Sequence, residues 1–382
     1  MANTLTGLIP TIYAAKDIVL RELTGFIPAV TLDASGEAIA KGQTISWPVV
    51  AAETSNDIAP AATGPDPADT TVGAGTMSIA KSKSSTFYWT GEDQLGLGRM
   101  YEQILRDQFA QSMRVLLAEV DADLAALYIY ASRAYGTAAA TPFASSLAEM
   151  AEMYRILADN GAPTSDLQLV IDTAAGAKLR TLAQLTQVST AGSDQTLRRG
   201  LLLDILGFQI RESANVASHT AGAASGFAVD LVAGYLAGSK TIHLDTGTGA
   251  LVAGDVLANS ETGRDASKYV VKTGASGDGD KDVVLADPGL QKAWVNDDDV
   301  AIAAGYRANL AFSRSAISLV LRTPAMPEGG DAADDVTIVT DEITGISFQV
   351  AMYRQYRRVA YEVGLSWGVK AVRPEAMAIL LG

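Results

Sequence analysis

Two histidines, one S-x-x-K tetrad and one run of alternating aspartates are the residues with which this chain could do chemistry. His219 lies in a small-residue loop and His243 in a β-prone run, and neither has a carboxylate at motif spacing. A triad or a metal site needs several convergent ligands, so exposed, inert histidines are expected. Ser78 to Lys81 matches the spacing that places a lysine beside a nucleophilic serine. Its companion motifs are missing, and it falls in a strand-like run. In GDGDKDVV, Asp278, Asp280 and Asp282 alternate as in a calcium loop, yet Val283 and Gly289 stand where such a loop needs Gly and Glu. A solvated loop is the favoured reading, with incidental divalent-ion binding as the alternative. No nucleotide cradle of the G-x-x-x-x-G-K-[ST] or G-x-G-x-x-G type occurs. No residue is therefore assigned a catalytic, cofactor-binding or metal role.

The cations are more regular than the chemistry. In NLAFSRSAISLVLRTP, residues 309–324, apolar residues surround Arg314 and Arg322, with Arg307 just upstream and no carboxylate inside the run for them to serve. In YRQYRR, Tyr353, Arg354, Gln355, Tyr356, Arg357 and Arg358 concentrate positive charge at a bend. A solvated turn and a protein interface are both open there, since Arg and Tyr rim and anchor contacts between proteins. Trp47, Phe87, Tyr88 and Trp89 pose a similar choice: a partner covers them, or the protein's own long helix does.

Composition limits the rest. The 382 residues are 48% hydrophobic and 19% charged, which places the chain among globular proteins of two or three domains. No cysteine is present, so disulfides, thiolate metal sites and a cysteine nucleophile are excluded. The first twenty residues lack a basic and then apolar leader pattern, and no apolar run reaches membrane-span length, so a soluble, unexported product without membrane contact is expected. A formal net charge of -14 argues against gripping nucleic acid by neutralising phosphates.

The elements that must position these residues follow from periodicity. Residues 8–28 predict a short helix framed by Pro10 and Pro28. AIAKGQTISWPVV and GTMSIAKSKSSTFYWTG predict a long hairpin with a polar tip, which is marginal alone and so should lie on another surface. From Leu97 to about Tyr135, apolar residues recur at three and four and predict a rod of roughly 50 Å. A second helix over 145–161 follows, then a buried strand, LQLVID, and another helix. From about residue 238, short β runs between Gly, Asp and Asn turns suggest a small inserted barrel. Clean alternation after residue 346 predicts long antiparallel strands.

This order of parts resembles the major capsid protein of tailed bacteriophages, the HK97 fold. The ending RVAYEVGLSWGVKAVRPEAMAIL, with GV-x-A-x-RPEA at 368–376, is similar to that of short-tailed-phage coat proteins carrying an insertion domain. ISWPV and AFSRSAI also resemble that family. The resemblance implies an α+β, HK97-like fold with an inserted all-β, barrel-like domain. Residues 1–37 would be the N-terminal arm, 38–91 the E-loop, and 92–163 the spine helix and peripheral domain. Residues 164–237 and 305–330 would be the axial domain, 238–304 the insertion, and 331–382 the return strands of the peripheral domain.

It implies a structural, non-enzymatic coat protein of an icosahedral head, in the virion capsid, assembled in the host cytoplasm. Its partners would be other copies in hexamers and pentamers, a scaffolding protein, portal and head-completion proteins, and packaged double-stranded DNA contacted non-specifically. Trp47, Trp89, Arg314, Arg322, Arg354, Arg357 and Arg358 are the candidate assembly residues. Another shell, tail or decoration protein is the alternative, and a hydrolase with an accessory β domain a more distant one.

Overall fold

The computed structural model describes residues 8–21, 25–50, 72–182, 185 and 204–382. The expected hairpin tip, residues 56–71, lies outside them. The amino-terminal elements are α1 (Ile9–Arg21), β1 (Thr31–Ile39), β2 (Thr44–Val50), β3 (Val72–Ser78), β4 (Lys81–Thr90), α2 (Gly91–Leu97) and α3 (Tyr101–Ala125). Next come β5 (Arg133–Gly136), α4 (Ala148–Asp159), β6 (Leu167–Ile171), α5 (Thr173–Thr181), β7 (Phe208–Glu212) and β8 (Ser218–His219). Short strands follow: β9 (Phe227–Val229), β10 (Thr241–Asp245), β11 (Val256–Asn259), β12 (Lys268–Thr273), β13 (Lys281–Leu285) and β14 (Asp299–Ile302). The chain closes with β15 (Tyr306–Ser313), β16 (Ile317–Pro324), β17 (Asp335–Thr340), β18 (Ser347–Gln355), β19 (Arg358–Ala371) and β20 (Met377–Leu381).

The helix expected to run unbroken from Leu97 to Tyr135 is three pieces. Gly98 at φ +52° separates α2 from a 3-10 turn and α3, and after Ala125 the chain tightens into another 3-10 turn. The 25 residues of α3 span about 37 Å rather than 50. Residues 133–136, which continue the helical spacing, are instead taken into a sheet by parallel pairing with β20 and antiparallel pairing with β12. Tertiary pairing outweighs a local helical preference worth only tenths of a kcal/mol per residue, on the order of the propensity scale. Leu105, Phe109, Met113, Leu116, Val120 and Leu124 form the buried stripe of α3, and α1 packs on it through Ile12, Ala15 and Val19.

The expected long hairpin is also divided. Its inner halves leave each other: β1 pairs in parallel with β16, and β4 pairs along its whole length with β19. Only β2 and β3 pair with one another, and among the described residues this ribbon joins no other strand. Its base is held by a small separate core of Ile39, Met77, Ile79 and Val320, with Ile45 and Trp47 against it.

Two sheets carry the body. One has the order β1-β16-β19-β18-β17, with β4 added on β19. The other runs β12-β5-β20-β15-β6-β7 through the α/β part and continues into the barrel. The segment 309–324 joins them: β15 lies in the second sheet, a 3-10 turn at Arg314–Ala316 redirects the chain, and β16 enters the first.

The inserted β domain is a closed ring. Around it the order is β11-β14-β9-β10-β13-β12, and β12 pairs back to β11, so no edge remains within the ring. Its interior is a core of its own, with Phe227, Leu244, Leu257, Tyr269, Val283 and Trp294 buried. The insertion cannot begin at 238, because β9 at 227–229 supplies one of the six strands. Three residues are too few to show a periodicity, and only their two partners, β10 and β14, define them as a strand.

Candidate assembly surface

Strand alternation settles which aromatic residues on β4 face inward. Phe87 meets Phe109 at 5.0 Å and Tyr361 at 5.4 Å, and Trp89 meets Tyr101 edge-on at 5.7 Å. The protein's own long helix and β19 therefore cover these two. Tyr88 points the other way and is 58% exposed. Trp47 sits on the ribbon, packed over Gly75, where an added Cβ would come within 2.6 Å of the indole, and Lys370 lies 5.6 Å from its ring.

The two cations of 309–324 each pair with a carboxylate within the subunit. Arg314 pairs with Asp166 at 2.8 Å, on the loop before β6. Arg322 is buried and binds Asp33 on β1, through the backbone carbonyl at 2.8 Å and the carboxylate at 2.9 Å. It locks β1 onto β16. Arg307 donates to the carbonyl of Val216.

The structure does bring together Trp89, Arg354, Arg357 and Arg358. Antiparallel register sets Val359 opposite Trp89 and Arg358 opposite Thr90. The β18–β19 bend, with Arg357 at φ +57°, thus lies beside the start of α2. That start is rigid: Thr90 caps α2 in a reciprocal capping box with Asp93, and the Gly91 amide donates to the Arg357 carbonyl at 3.2 Å. Between bend and helix runs a groove of about 670 Å³ with Trp89 and Val359 among its lining. The guanidinium of Arg358 stacks 4.9 Å from the Tyr88 ring, and that of Arg357 lies 6.0 Å from Tyr356. Tyr356 is 91% exposed and Leu95 on α2 is 85% exposed. On the far side of the bend, Tyr353 donates toward Asp331 and Glu362, and burial with these two carboxylates pushes its phenol up.

The residues with chemical potential are committed elsewhere. His219 is buried, not exposed: Asp255 lies 2.8 Å from Nε2 and the Tyr128 hydroxyl 2.9 Å from Nδ1. Asp255 also accepts the amides of Gly222 and Val252, so the group ties the barrel base to the end of the α3 segment. Burial and the neighbouring Asp255 push the Tyr128 phenol up, the opposite of what a nucleophile needs. His243 faces Asp282 across the β10–β13 pair at 2.8 Å, which raises the imidazole above its ordinary value. Neither carboxylate is near its histidine in sequence, so no spacing signal could have revealed them.

Lys81 of the S-x-x-K tetrad pairs with Asp123 at 2.7 Å, and the Trp367 indole donates to the same carboxylate. Lys83 pairs with Glu119. Asp278 accepts the Gly249 amide, and among the described residues no three metal-capable side chains converge. No described helix is long and apolar enough to cross a membrane.

No protein-family model and no curated protein matches the chain. Among solved structures it is similar to one from Mycobacterium phage Che8, at 15% identity and a TM-score of 0.48, over 89% of this chain and 85% of that one. The capsid of cyanophage P-SCSP1u is similar at 12% identity and a TM-score of 0.49, over 94% and 88%. A virus-like particle from Pyrococcus furiosus is similar at 10% identity and a TM-score of 0.43, over 97% and 98%.

Proposed function

We propose that this chain is the major capsid protein of a tailed double-stranded DNA phage, a structural and non-enzymatic subunit of HK97-like fold that closes an icosahedral head. One observation carries the reading: among the described residues the β2–β3 ribbon joins neither sheet. A two-stranded ribbon is marginal in water, and a neighbouring subunit is the natural surface to complete it. The arm, ribbon, long helix, two sheets and inserted barrel follow in the order such a subunit requires. The domains are those of the sequence reading, with the insertion beginning near residue 222 instead of 238.

In this reading copies assemble into hexamers and pentamers on a scaffolding protein, meet portal and head-completion proteins, and enclose DNA without gripping it. The net charge of -14 suits a lining along which DNA slides. Subunits would assemble in the host cytoplasm and end in the virion. The groove beside Trp89, with Arg354, Arg357 and Arg358, is the contact for a neighbour's acidic surface. Electron microscopy of the overexpressed protein, with and without its scaffolding partner, tests the reading. Closed shells are expected; open tubes or permanently monomeric subunits would overturn it.

A further inference from the structure

The barrel carries an apolar knob that its own core does not use. Val232 is 92% exposed and Leu236 75% exposed, with Leu231 and Val295 also on the surface. The loop bearing them is firmly held. The Leu231 amide donates to Asn296, the Gly234 amide to the Leu231 carbonyl, and Tyr235 and Trp294 exchange two backbone hydrogen bonds. Gly234, at φ +65°, lies so close to the Trp294 carbonyl that a Cβ would come within 2.7 Å of it. A rigid loop that presents large aliphatic side chains to water has the character of a docking surface.

Its rim decides the partner. Asp230 and Asp297 are exposed on either side, brought together by hydrogen bonds from β9 and its neighbours, and Asp299 follows at the start of β14. Two such knobs face to face would oppose like charges, which argues against self-pairing. The complementary surface is the groove between α2 and the β18–β19 bend, where Trp89 and Val359 are bordered by Arg354, Arg357 and Arg358, three cations against the single carboxylate of Glu92.

We infer that the barrel knob of one copy docks into this groove of a second copy, with Val232 and Leu236 on its apolar floor and Asp230 and Asp297 against Arg357 and Arg358. Knob and groove are different surfaces of one chain, so the contact is head-to-tail and propagates from copy to copy. The inference rests on the assembly reading above and names the acidic surface that the basic groove receives.

The chain has no cysteine, so an engineered pair reports the contact without background. Val232→Cys and Tyr356→Cys alter side chains that are 92% and 91% exposed, and both should leave the fold intact. Oxidation of assembled double variant should give a ladder of covalently linked chains, with neither single variant giving one. Asp230→Arg or Arg357→Asp alone should lower the assembled fraction about tenfold, and the two together should restore most of it, as expected when one charge pair is exchanged for its mirror. Closed shells without a ladder would overturn the knob-in-groove contact and leave the shell reading standing. Dimers from Val232→Cys alone would show that knobs meet knobs, and cross-links only to a different protein would show a foreign partner; both overturn it. Subunits that never associate would overturn both the contact and the shell.

Discussion

Single residues in this protein act mainly as joints between distant elements. Asp121 on α3 is buried, and it accepts the Phe26 amide at 2.7 Å, the Ser213 hydroxyl at 2.6 Å and the Asn215 amide at 3.1 Å. One carboxylate thus binds the arm, the long helix and the segment after β7. Asp121→Ala leaves these donors unpaired in the interior and should cost roughly 3 kcal/mol, read as a lower urea midpoint with an unchanged slope. The His243–Asp282 pair offers a pH test. Its imidazole is raised, first by the Asp282 hydrogen bond, so its contribution to stability is complete below the unfolded value of about 6.5 and is lost as pH rises through the folded value. Both groups are well exposed, so the contribution is under about 1 kcal/mol. Asp282→Asn should return the His243 ring-proton titration in NMR toward the ordinary value; an unmoved titration would show that the pair does not set it.

Among the elements, the ribbon is the one with least support of its own. Ile79 closes its base, buried among Ile39, Met77 and Val320, and exchanges backbone hydrogen bonds with Gly42 and Gln43. Truncation there opens a cavity in a small cluster separate from the main core. Ile79→Ala should therefore lower the ribbon's local stability by about 2–4 kcal/mol. Hydrogen exchange should show fast amides in β2 and β3 while β18 and β19 keep their protection. Uniform loss of protection would mean that ribbon and body unfold as one unit.

At the scale of the whole molecule the barrel is the separable part. It has a closed ring of strands and its own core, and it is fastened to the body by the Asp255–His219–Tyr128 group, the Tyr306 bond to the Gly254 carbonyl, the β5–β12 pairing, and Val256, Val270 and Ala286, which are buried in the body's core. The chain enters and leaves the barrel side by side: a Cβ on Gly305 would lie 3.0 Å from the His219 carbonyl. A piece spanning residues 222–303 should fold alone, with a cooperative melt and Trp294 fluorescence typical of a buried indole. A piece starting at 238 lacks β9, which takes one of two partners from each of β10 and β14 and opens the ring, and it should not. Equal folding of both pieces would show that β9 is dispensable to the ring.

Much of this architecture follows from local pattern, which the sequence carries in full. The apolar stripe of residues 101–124, the alternation of residues 346–369 and the turn-rich run after residue 238 each report a periodicity that belongs to one element and needs no partner to be read. Arg314 and Arg322 could likewise be recognised as cations in need of carboxylates. Pairing between distant segments belongs to the tertiary structure alone. Asp33 reaches Arg322 across 289 residues, and Asp255 and Tyr128 reach His219 across 36 and 91, with no spacing to announce them. The same cause cut the long helix short at residue 125, divided the hairpin between a sheet and a free ribbon, and drew β9 into the barrel. In each case backbone hydrogen bonds to a remote strand or a turn outweighed a preference that the local residues express only weakly.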